Sequence, residues 1–416
     1  MSELIQRAEL LMQQERYAEA EKELKQALSQ APNDYYTLAL LAEVSLELDR
    51  YDNARMLIDS AIGLNPATAY LLYVRARVFA LQDDYNGAER EIAQAVSLEP
   101  DDADYYAWWA NIKLARKMYT EALELADKAL SLDPANLLAL NMRSRALVKT
   151  NQYEASFETI EGALREDPDN SFTHSNYGWN LLEQGNHQKA KEHFREALRS
   201  DPSNEDAQSG MLEALKADNL LYRMFQKYAF WMGNLSGKYQ WGVILGFYFG
   251  TQLIKNLAKQ NEALQPFLLP VVVLLALFAF STWIVGPVGN LLLRINPFGK
   301  HLLNRKEIIS SNFVGVCALV CITGLVTYFV TLHQPLLSVA AFGFAMMLPC
   351  SSMLSPAKNP VILKMLAGVL TVFGLLAILM SFASGNLFNG ISLLFIIQFV
   401  AYQFISNFIL IKEDNK

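Results

Sequence analysis

Six prolines recur at a fixed interval in the first half of this 416-residue chain. Successive prolines are 34 residues apart, and the residue two positions after each one is Asp, Asn or Thr. Proline has no backbone N–H to donate and ends the helix before it, whereas Asp, Asn and Thr cap the first turn of the helix after it. Six such pairs in one register indicate an internal repeat built of helices. The pairs are Pro32 and Asp34, Pro66 and Thr68, Pro100 and Asp102, Pro134 and Asn136, Pro168 and Asn170, and Pro202 and Asn204.

The rest of each 34-residue period repeats as well. Counted from residue 1, the eighth, twentieth and twenty-seventh positions hold small side chains, and the seventeenth holds an aromatic ring. Small side chains at fixed helical positions let two helices pack closely, and the ring fills the space beside the turn between them. Each period is therefore predicted to be a helix, a short turn, a second helix and a proline stop. The rings are Tyr17, Tyr51, Tyr85, Tyr119, Tyr153 and His187.

This pattern resembles the tetratricopeptide repeat (TPR), whose consensus has small residues at these three positions and a proline near the end of each unit. The resemblance covers residues 1–204 as six repeats, and residues 205–217 follow as an amphipathic helix that caps the last unit. It implies an all-α fold that begins with a superhelical TPR solenoid. Arginine takes the usual large seventh position in three units, at Arg7, Arg75 and Arg143, where the aliphatic stems must pack.

The charge of the chain is divided unevenly between its two halves. Residues 1–218 carry 22 Lys and Arg against 38 Asp and Glu, whereas residues 219–416 carry 13 against 4. An acidic solenoid is unsuited to nucleic acid, because phosphate binding needs a basic face. The second half is apolar and its few charges are mostly positive, which is typical of a membrane domain.

Residues 239–411 contain six apolar stretches, each close to the roughly 20 residues that span a bilayer. They predict an α-helical transmembrane bundle of about six helices. The fourth stretch is short and contains Pro349, so a re-entrant segment is the alternative there. Residues 218–238 are interpreted either as an amphipathic connector at the membrane interface or as an extension of the first span, and residues 412–416 as a cytosolic tail. The stretches are 239–257, 267–293, 312–332, 336–351, 361–382 and 387–411.

Lysine and arginine in the second half are concentrated on one side of the predicted membrane. Eleven of them precede the first span, follow the second, precede or begin the fifth, or lie in the tail, and two, Lys255 and Lys259, lie in the first loop. Basic loops stay in the cytosol, so both termini are predicted to be cytosolic. The charged first residues do not resemble a signal peptide. We therefore expect an integral protein of the bacterial inner (cytoplasmic) membrane, with its TPR domain in the cytosol.

The first apolar stretch contains the spacing GxxxGxxxG, formed by Gly242, Gly246 and Gly250. Glycines at this spacing let another helix approach closely. The expected use is packing within the bundle, and the alternative is a homo-oligomer formed through this helix.

Neither half contains a recognisable catalytic motif, so we expect no enzyme activity and no cofactor or metal. His187 and His193 are six residues apart, which does not place two ligands on one helix face, and His187 occupies a ring position of the repeat. The interiors of the predicted spans lack Asp, Glu, Arg and His, which argues against a coupled transporter. The three cysteines have no CxxC spacing and are interpreted as packing residues; they are Cys317, Cys321 and Cys350.

The TPR resemblance also implies a binding surface. In this family the first helix of each unit lines the concave face, mainly through its second, fifth, sixth, ninth and twelfth residues. The side chains at these positions suit an extended peptide with an acidic residue or a free C-terminus, although the lysine of the family's terminal-carboxylate clamp is missing. The resulting set is Tyr36, Tyr70, Tyr73, Arg77, Asn111, Asn141, Arg145, Asn176 and Trp179.

Taken together, these features predict a membrane-anchored TPR scaffold that recruits a cytosolic protein or peptide tail to the membrane. Two alternatives stay open. One is a transporter or channel with a regulatory TPR domain. The other is an assembly factor for a membrane complex whose transmembrane bundle, with Gln398, Gln403 and Asn407, binds the partner.

Overall fold

The computed structural model describes residues 3–235, 237–260, 264–294, 303–354 and 361–414. Helices make up nearly all of this part of the chain, and it contains no β-strand. Of the basic residues that predict the orientation, Lys300, Lys358 and Lys416 lie outside the described residues. The helices are α1 Glu3–Gln13, α2 Tyr17–Gln30, α3 Tyr35–Glu47, α4 Tyr51–Leu64, α5 Ala69–Leu81, α6 Tyr85–Leu98, α7 Ala103–Ala115, α8 Tyr119–Leu132, α9 Leu137–Lys149, α10 Tyr153–Glu166, α11 Ser171–Gln184, α12 His187–Ser200, α13 Glu205–Lys216, α14 Leu220–Asn234, α15 Gly237–Gln260, α16 Gln265–Leu293, α17 Arg305–Thr331, α18 Leu336–Ser352, α19 Val361–Ser384 and α20 Gly390–Asp414.

The chain divides into two compact units, which are described separately. The first unit comprises Met1–Gln184 and Glu192–Ala207, and the second comprises Gly185–Lys191 and Gln208–Lys416. The prediction of an all-α fold is confirmed in the residues that the structure describes.

Helix pairs repeat through α1 to α12, and their ends follow the proline and cap pattern. Each second helix ends two residues before its proline. The predicted cap accepts a hydrogen bond from a backbone N–H of the next helix in five of six cases, for example from Ala139 to Asn136 at 2.8 Å. The exception is Thr68, whose side chain makes no such bond. The prediction of the helix boundaries is thus confirmed.

The turn between the two helices of a unit has a left-handed residue that the sequence pattern does not reveal. The fifteenth residue of each unit has a positive φ, from 57° at Asp49 to 92° at Gly185. Gly185, Asn151, Asp49 and Asp83 are residue types that favour this conformation more than most, so the backbone strain is confined to the turns at Glu15 and Lys117.

The small residues of the repeat lie where two helices of one unit meet. Ala8, Ala20 and their equivalents in later units are fully buried. In the fifth unit, Ser144 and Ser156 take these places, and their hydroxyl groups lie 2.8 Å apart in a buried hydrogen bond. Close approach of paired helices through small side chains is therefore confirmed.

First helices of neighbouring units also pack against each other, as α3 does with α5, α7 with α9 and α9 with α11. Second helices instead pack on the first helix of their own unit and on that of the next. Helices that approach closely across repeats lie on the inside of a curved solenoid. The first helices therefore line its inner face, as the family resemblance implies.

The second of the two compact units, which includes residues 208–416, contains long apolar helices. Two of them, α17 and α19, are long and apolar enough to cross a membrane by length and composition. Shorter apolar segments lie at Ile284–Leu293, Leu336–Ser352 and Gly390–Ser406 among the described residues. The predicted six spans correspond in position to α15 through α20, and crossing by all six stays a prediction.

The connector expected at residues 218–238 contains the helix α14. Among its described side chains, those of Tyr222 and Gln226 are buried. The Tyr222 hydroxyl donates to the Glu213 carboxylate at 2.8 Å, and the Gln226 amide donates to the Glu213 backbone carbonyl at 3.2 Å. Trp231 is half exposed. This helix is therefore fixed to α13 by polar contacts on one side, while an aromatic ring stays on its surface.

The glycine motif of α15 is not used for close packing among the described residues. A Cβ added at Gly242, Gly246 or Gly250 would meet no atom within 4 Å. This differs from the expected packing within the bundle, because the helix face that carries the motif is open in the described part of the unit. A homo-oligomer through this face stays a prediction.

Candidate functional site

The ninth residue of each first helix forms a row along the inner face of the solenoid. In repeats two to six these residues are all half-buried. Most residues at the fifth and sixth positions of the same helices are fully buried. The first two members touch directly, since Arg77 Nη1 lies 2.7 Å from Glu43 Oε1. We call this row the inner ladder; it comprises Glu43, Arg77, Asn111, Arg145 and Trp179.

Arg77, one of the two predicted carboxylate receptors, is already neutralised within the solenoid. Its guanidinium pairs with Glu43 at 2.7 Å and with Glu47 at 2.9 Å. Its Cζ also lies 5.8 Å from the centre of the Tyr73 ring and 5.6 Å from that of Trp108. A guanidinium with two carboxylate partners has little left to offer to a third.

The three predicted tyrosines lie beside this ion pair. The hydroxyl of Tyr36 donates to Glu9 at 2.7 Å and that of Tyr70 to Glu43 at 2.9 Å, and their rings are 6.0 Å apart. Burial and the neighbouring Glu9 carboxylate raise the pKa of Tyr36 to about 12. Burial also raises the pKa of Tyr73 to about 12. These rings are therefore neutral platforms, and two of their hydroxyl groups are already bonded.

Asn141 and Asn176 do not face the inner surface. Asn141 is fully buried, and its side-chain amide donates to the Thr173 hydroxyl at 2.9 Å and to the Leu137 carbonyl at 2.8 Å. The Asn176 amide donates to Asn141 Oδ1 at 2.9 Å. Both side chains thus form hydrogen bonds between α9 and α11 and are not available to a ligand. The fifth and sixth positions lie in the seam between first helices, which explains the difference from the expected groove.

Replacing Asn141 with alanine should destabilise the solenoid, because the Asn176 amide would lose its buried partner. Leaving a buried polar group unbonded costs about 1–3 kcal/mol. Chemical unfolding followed by circular dichroism measures this loss. Asn111→Ala is the matched control, because Asn111 makes no hydrogen bond with any described residue. An equal loss in both variants would contradict the account of the seam.

Arg145, the second predicted receptor, differs from Arg77. It is half-buried and makes no hydrogen bond or ion pair with any residue that the structure describes. Burial lowers the pKa of its guanidinium, and the more distant Asp206 and Glu183 offset this only in part. Glu183 itself is bonded to Lys149 at 2.5 Å. Arg145 is thus a partly desolvated cation whose donors point to no acceptor within the described chain.

Two donors without a partner lie on α7, on one side of Arg145. Asn111 has no hydrogen-bond partner among the described residues, and the buried indole N–H of Trp108 has none either. Trp179 donates its indole N–H to the Asp206 carbonyl at 3.3 Å, and its ring meets Phe194 edge-on. Trp108 was not among the predicted residues, although it occupies a sixth position. Its ring at a position otherwise filled by Leu, Val, Met or Asn was the signal for it.

Comparison with known proteins identifies the repeats. Residues 11–78 and 113–172 match one family model described as tetratricopeptide repeat, and residues 171–204 match a second with the same description. The prediction of TPRs in the first part of the chain is therefore confirmed. No curated protein matches the chain at a significant level.

Solved structures of TPR proteins are similar to part of the chain. A thermophilic TPR protein from Thermus thermophilus is 20% identical over 44% of this chain and 99% of its own, with a TM-score of 0.42. A TPR protein from Parabacteroides merdae is 18% identical over 50% of this chain and 81% of its own, with a TM-score of 0.44. YrrB, described as a TPR protein with an unusual peptide-binding site, is 17% identical over 44% of this chain and 95% of its own, with a TM-score of 0.31.

Proposed function

We propose that the chain is a membrane-anchored adaptor. TPR domains are protein-interaction scaffolds, and the first part of the chain matches TPR models. The solenoid binds an extended acidic segment, or the free C-terminus, of a partner protein along the inner ladder. The observation that carries this proposal is Arg145, a half-buried guanidinium without a hydrogen-bond partner among the described residues.

The chemistry of the ladder favours a carboxylate as the ligand. Arg145 and Asn111 both offer N–H donors, and a guanidinium binds a carboxylate through two parallel hydrogen bonds. Removing a charge from water is costly unless it is paired, so a carboxylate from the partner repays the desolvation of Arg145. The contact between Glu43 and Arg77 shows that equivalent side chains of two adjacent repeats can reach one another, and this spacing supports a ligand shared between repeats.

The membrane anchor is supported by the surface of the apolar helices. In the most apolar 18-residue segment of each helix, only 11% of α17 and 28% of α19 is buried. A core helix of a soluble protein would be mostly buried, whereas these helices expose residues such as Phe329, Val330 and Leu379. An apolar surface of this extent needs a lipid or protein covering.

The expected orientation can be tested by labelling. Single cysteines placed at Lys259 and at Lys306 in a cysteine-free variant should differ in intact cells, because the basic loop before α17 stays in the cytosol. An impermeant thiol reagent should label position 259 and not position 306. Labelling at 306 with protection at 259 would reverse the topology, and disruption of the membrane should expose both positions as a control.

A second candidate function has one observation in its favour. The Oε1 atoms of Gln398 and Gln403 on α20 are buried but find no hydrogen-bond donor among the described residues. Amides within apolar helices commonly bond to another helix. If this chain is an assembly factor that binds its partner through α20, a side chain of the partner would supply that donor.

Crosslinking in native membranes followed by mass spectrometry distinguishes these functions. The adaptor proposal expects partners crosslinked to the first helices of the solenoid. The assembly-factor alternative expects partners crosslinked to α20.

A further inference from the structure

A polar pocket lies where three helices of the second unit meet. Its walls are the last two turns of α16, the first two turns of α17 and the end of α18, and its volume is about 440 Å³. Small-molecule sites commonly measure about 300–1,000 Å³. The Ser310 hydroxyl on α17 donates to the Ser351 carbonyl on α18 at 3.2 Å, which ties two of the walls together. The packing of the helices therefore defines the pocket.

One buried polar atom of this pocket has no partner among the described residues. Asn290, in the last turn of α16, lines the pocket and is only 9% exposed. Its Oδ1 is buried and accepts no hydrogen bond from any residue that the structure describes. A buried acceptor without a donor costs free energy, and a ligand with an N–H or O–H group removes that cost. Asn290 thus indicates a ligand that carries a donor.

The charged side chains of the pocket are one cation and one anion. Lys306 and Glu307 both line it, and neither forms an ion pair with a described residue. Adjacent residues of a helix do not face each other, so the two charges stay separate. The Glu307 carboxylate is held in place because it accepts from the Asn304 backbone N–H at 2.8 Å in a capping box. The N-terminus of α17 and Lys306 favour an anion, whereas Glu307 and Asn290 favour a cationic donor.

We propose that this pocket binds the head group of a phospholipid that carries a primary ammonium, the phosphatidylethanolamine class. The phosphate lies at Lys306 and the N-terminus of α17, and the ammonium donates to Asn290 Oδ1 and the Glu307 carboxylate. A primary ammonium has three N–H donors, whereas the quaternary ammonium of phosphatidylcholine has none. The charges of lining and ligand sum to zero. This inference rests on the membrane anchor proposed above and adds a lipid specificity to it.

The apolar surface beside the pocket favours a lipid over a free head group. Phe313 is 44% exposed and lies two turns after Lys306 on the same face of α17. Val316 and Leu319 continue the exposed apolar surface along the helix. Basic residues at the end of a predicted span suit the depth of the lipid head groups. An acyl chain attached to the bound head group would therefore lie against α17.

Lipid competition on the full chain tests the proposal. The chain is purified in detergent with equal amounts of phosphatidylethanolamine, phosphatidylcholine and phosphatidylglycerol that share the same acyl chains, and native mass spectrometry identifies the lipids that stay bound. Retained phosphatidylethanolamine should exceed each of the others by about tenfold, as expected for a hydrogen bond to a charged group. Soluble glycerophosphoethanolamine, the same head group without acyl chains, should not displace the lipid at equal concentration.

Substitutions in the pocket should remove this preference. Asn290→Leu deletes the acceptor without adding a charge, so phosphatidylethanolamine should fall to the level of phosphatidylcholine. Asn290→Asp keeps an acceptor and should keep the preference. Lys306→Ala should lower retention of phosphatidylethanolamine because its phosphate loses a counter-charge. Arg305→Ala is the matched control, because Arg305 is the exposed neighbour of Lys306 and does not line the described pocket, and it should bind lipid as the parent does.

Several results would overturn the proposal. These are equal retention of phosphatidylethanolamine and phosphatidylcholine by the parent chain, a preference for phosphatidylglycerol, displacement by the soluble head group at equal concentration, or an unchanged preference in Asn290→Leu. Reconstitution separates this failure from that of the membrane anchor. A chain that enters vesicles of all three lipids without the preference would overturn the lipid specificity alone, whereas a chain that enters none of them would overturn the anchor as well.

Discussion

Arg145→Ala is expected to abolish recovery of the partner that crosslinks to the solenoid. The guanidinium is the one ladder cation that lacks a carboxylate partner among the described residues, so its removal leaves the acidic segment of the partner without its counter-charge. Truncating one member of a buried charge pair at an interface costs about 2–5 kcal/mol, which lowers affinity by more than tenfold. Crosslinking in native membranes and quantitative mass spectrometry measure the loss.

Two further variants make this result specific. Arg90→Ala removes an exposed arginine from the second helix α6 and should leave recovery unchanged. Arg145→Lys keeps the charge but cannot bind a carboxylate with two parallel hydrogen bonds, so it should recover the partner only in part. Full recovery by Arg145→Ala, with melting unchanged, would show that the ladder does not bind the partner.

The sequence treats Arg77 and Arg145 as an equivalent pair, but the structure separates them. Arg77 holds Glu43 and Glu47, so Arg77→Ala should act first on stability. If Arg77→Ala lowers both the recovery of the partner and the melting temperature, the loss of the partner is caused by impaired folding. If Arg145→Ala lowers recovery while the melting temperature is unchanged, the loss is caused by weaker binding.

Gly343→Leu is expected to disrupt the contact between α17 and α18. The added side chain would begin 2.5 Å from a backbone nitrogen, and backbone cannot move aside as a flexible side chain can. Overpacking of this kind costs about 1–3 kcal/mol and sometimes more. The melting temperature of the full chain in detergent should fall clearly.

Gly246→Leu is the matched control for this substitution. Gly246 lies on a helix of the same unit, but a Cβ there would meet no atom of the described residues within 4 Å. The melting temperature of this variant should stay near that of the parent. A large drop for Gly246→Leu, with little change for Gly343→Leu, would mean that the GxxxGxxxG face is the packed one.

The periodic features of the solenoid could be predicted from the sequence because each has a local physical cause. Proline ends a helix wherever it occurs, and Asn136 caps the next one by accepting a bond from its backbone. Thr68 shows the limit of this reasoning, because it stands at a cap position without making the cap bond. The left-handed turn residue was missed because its six occupants share no single residue type, and two of them, Glu15 and Lys117, rarely adopt this conformation.

The candidate site could be predicted only in part, because a repeat position defines the helix face on which a side chain lies but not how deeply that side chain is buried. The fifth positions hold Ala39, Ala107 and Ser175 in three units, and these small buried residues mark the seam in which Asn141 lies. The ninth positions hold large polar or aromatic residues, and these line the inner face. Whether a ladder residue is free depends on a neighbour 34 positions away, as for Arg77 and Glu43, which no single unit reveals.

Packing in the second unit was least accessible to sequence reasoning. The GxxxGxxxG spacing on α15 was conspicuous but has no close neighbour among the described residues. The tight contacts use Gly324 and Gly343 as single residues on two helices. Likewise, the contact between Cys317 and Cys350 follows from the register of α17 on α18, which no spacing within one helix encodes.

Photo-crosslinking from Asn111 tests the central claim most directly. A photoreactive amino acid replaces Asn111 on the inner ladder or, as a control, Met56 on the exposed face of α4, and cells are irradiated before membranes are isolated. We predict a discrete crosslinked protein from position 111 that is absent from position 56 and disappears when Arg145→Ala is added. Equal crosslinking from both positions, or a product at 111 that survives Arg145→Ala, would contradict the adaptor function proposed for the inner ladder.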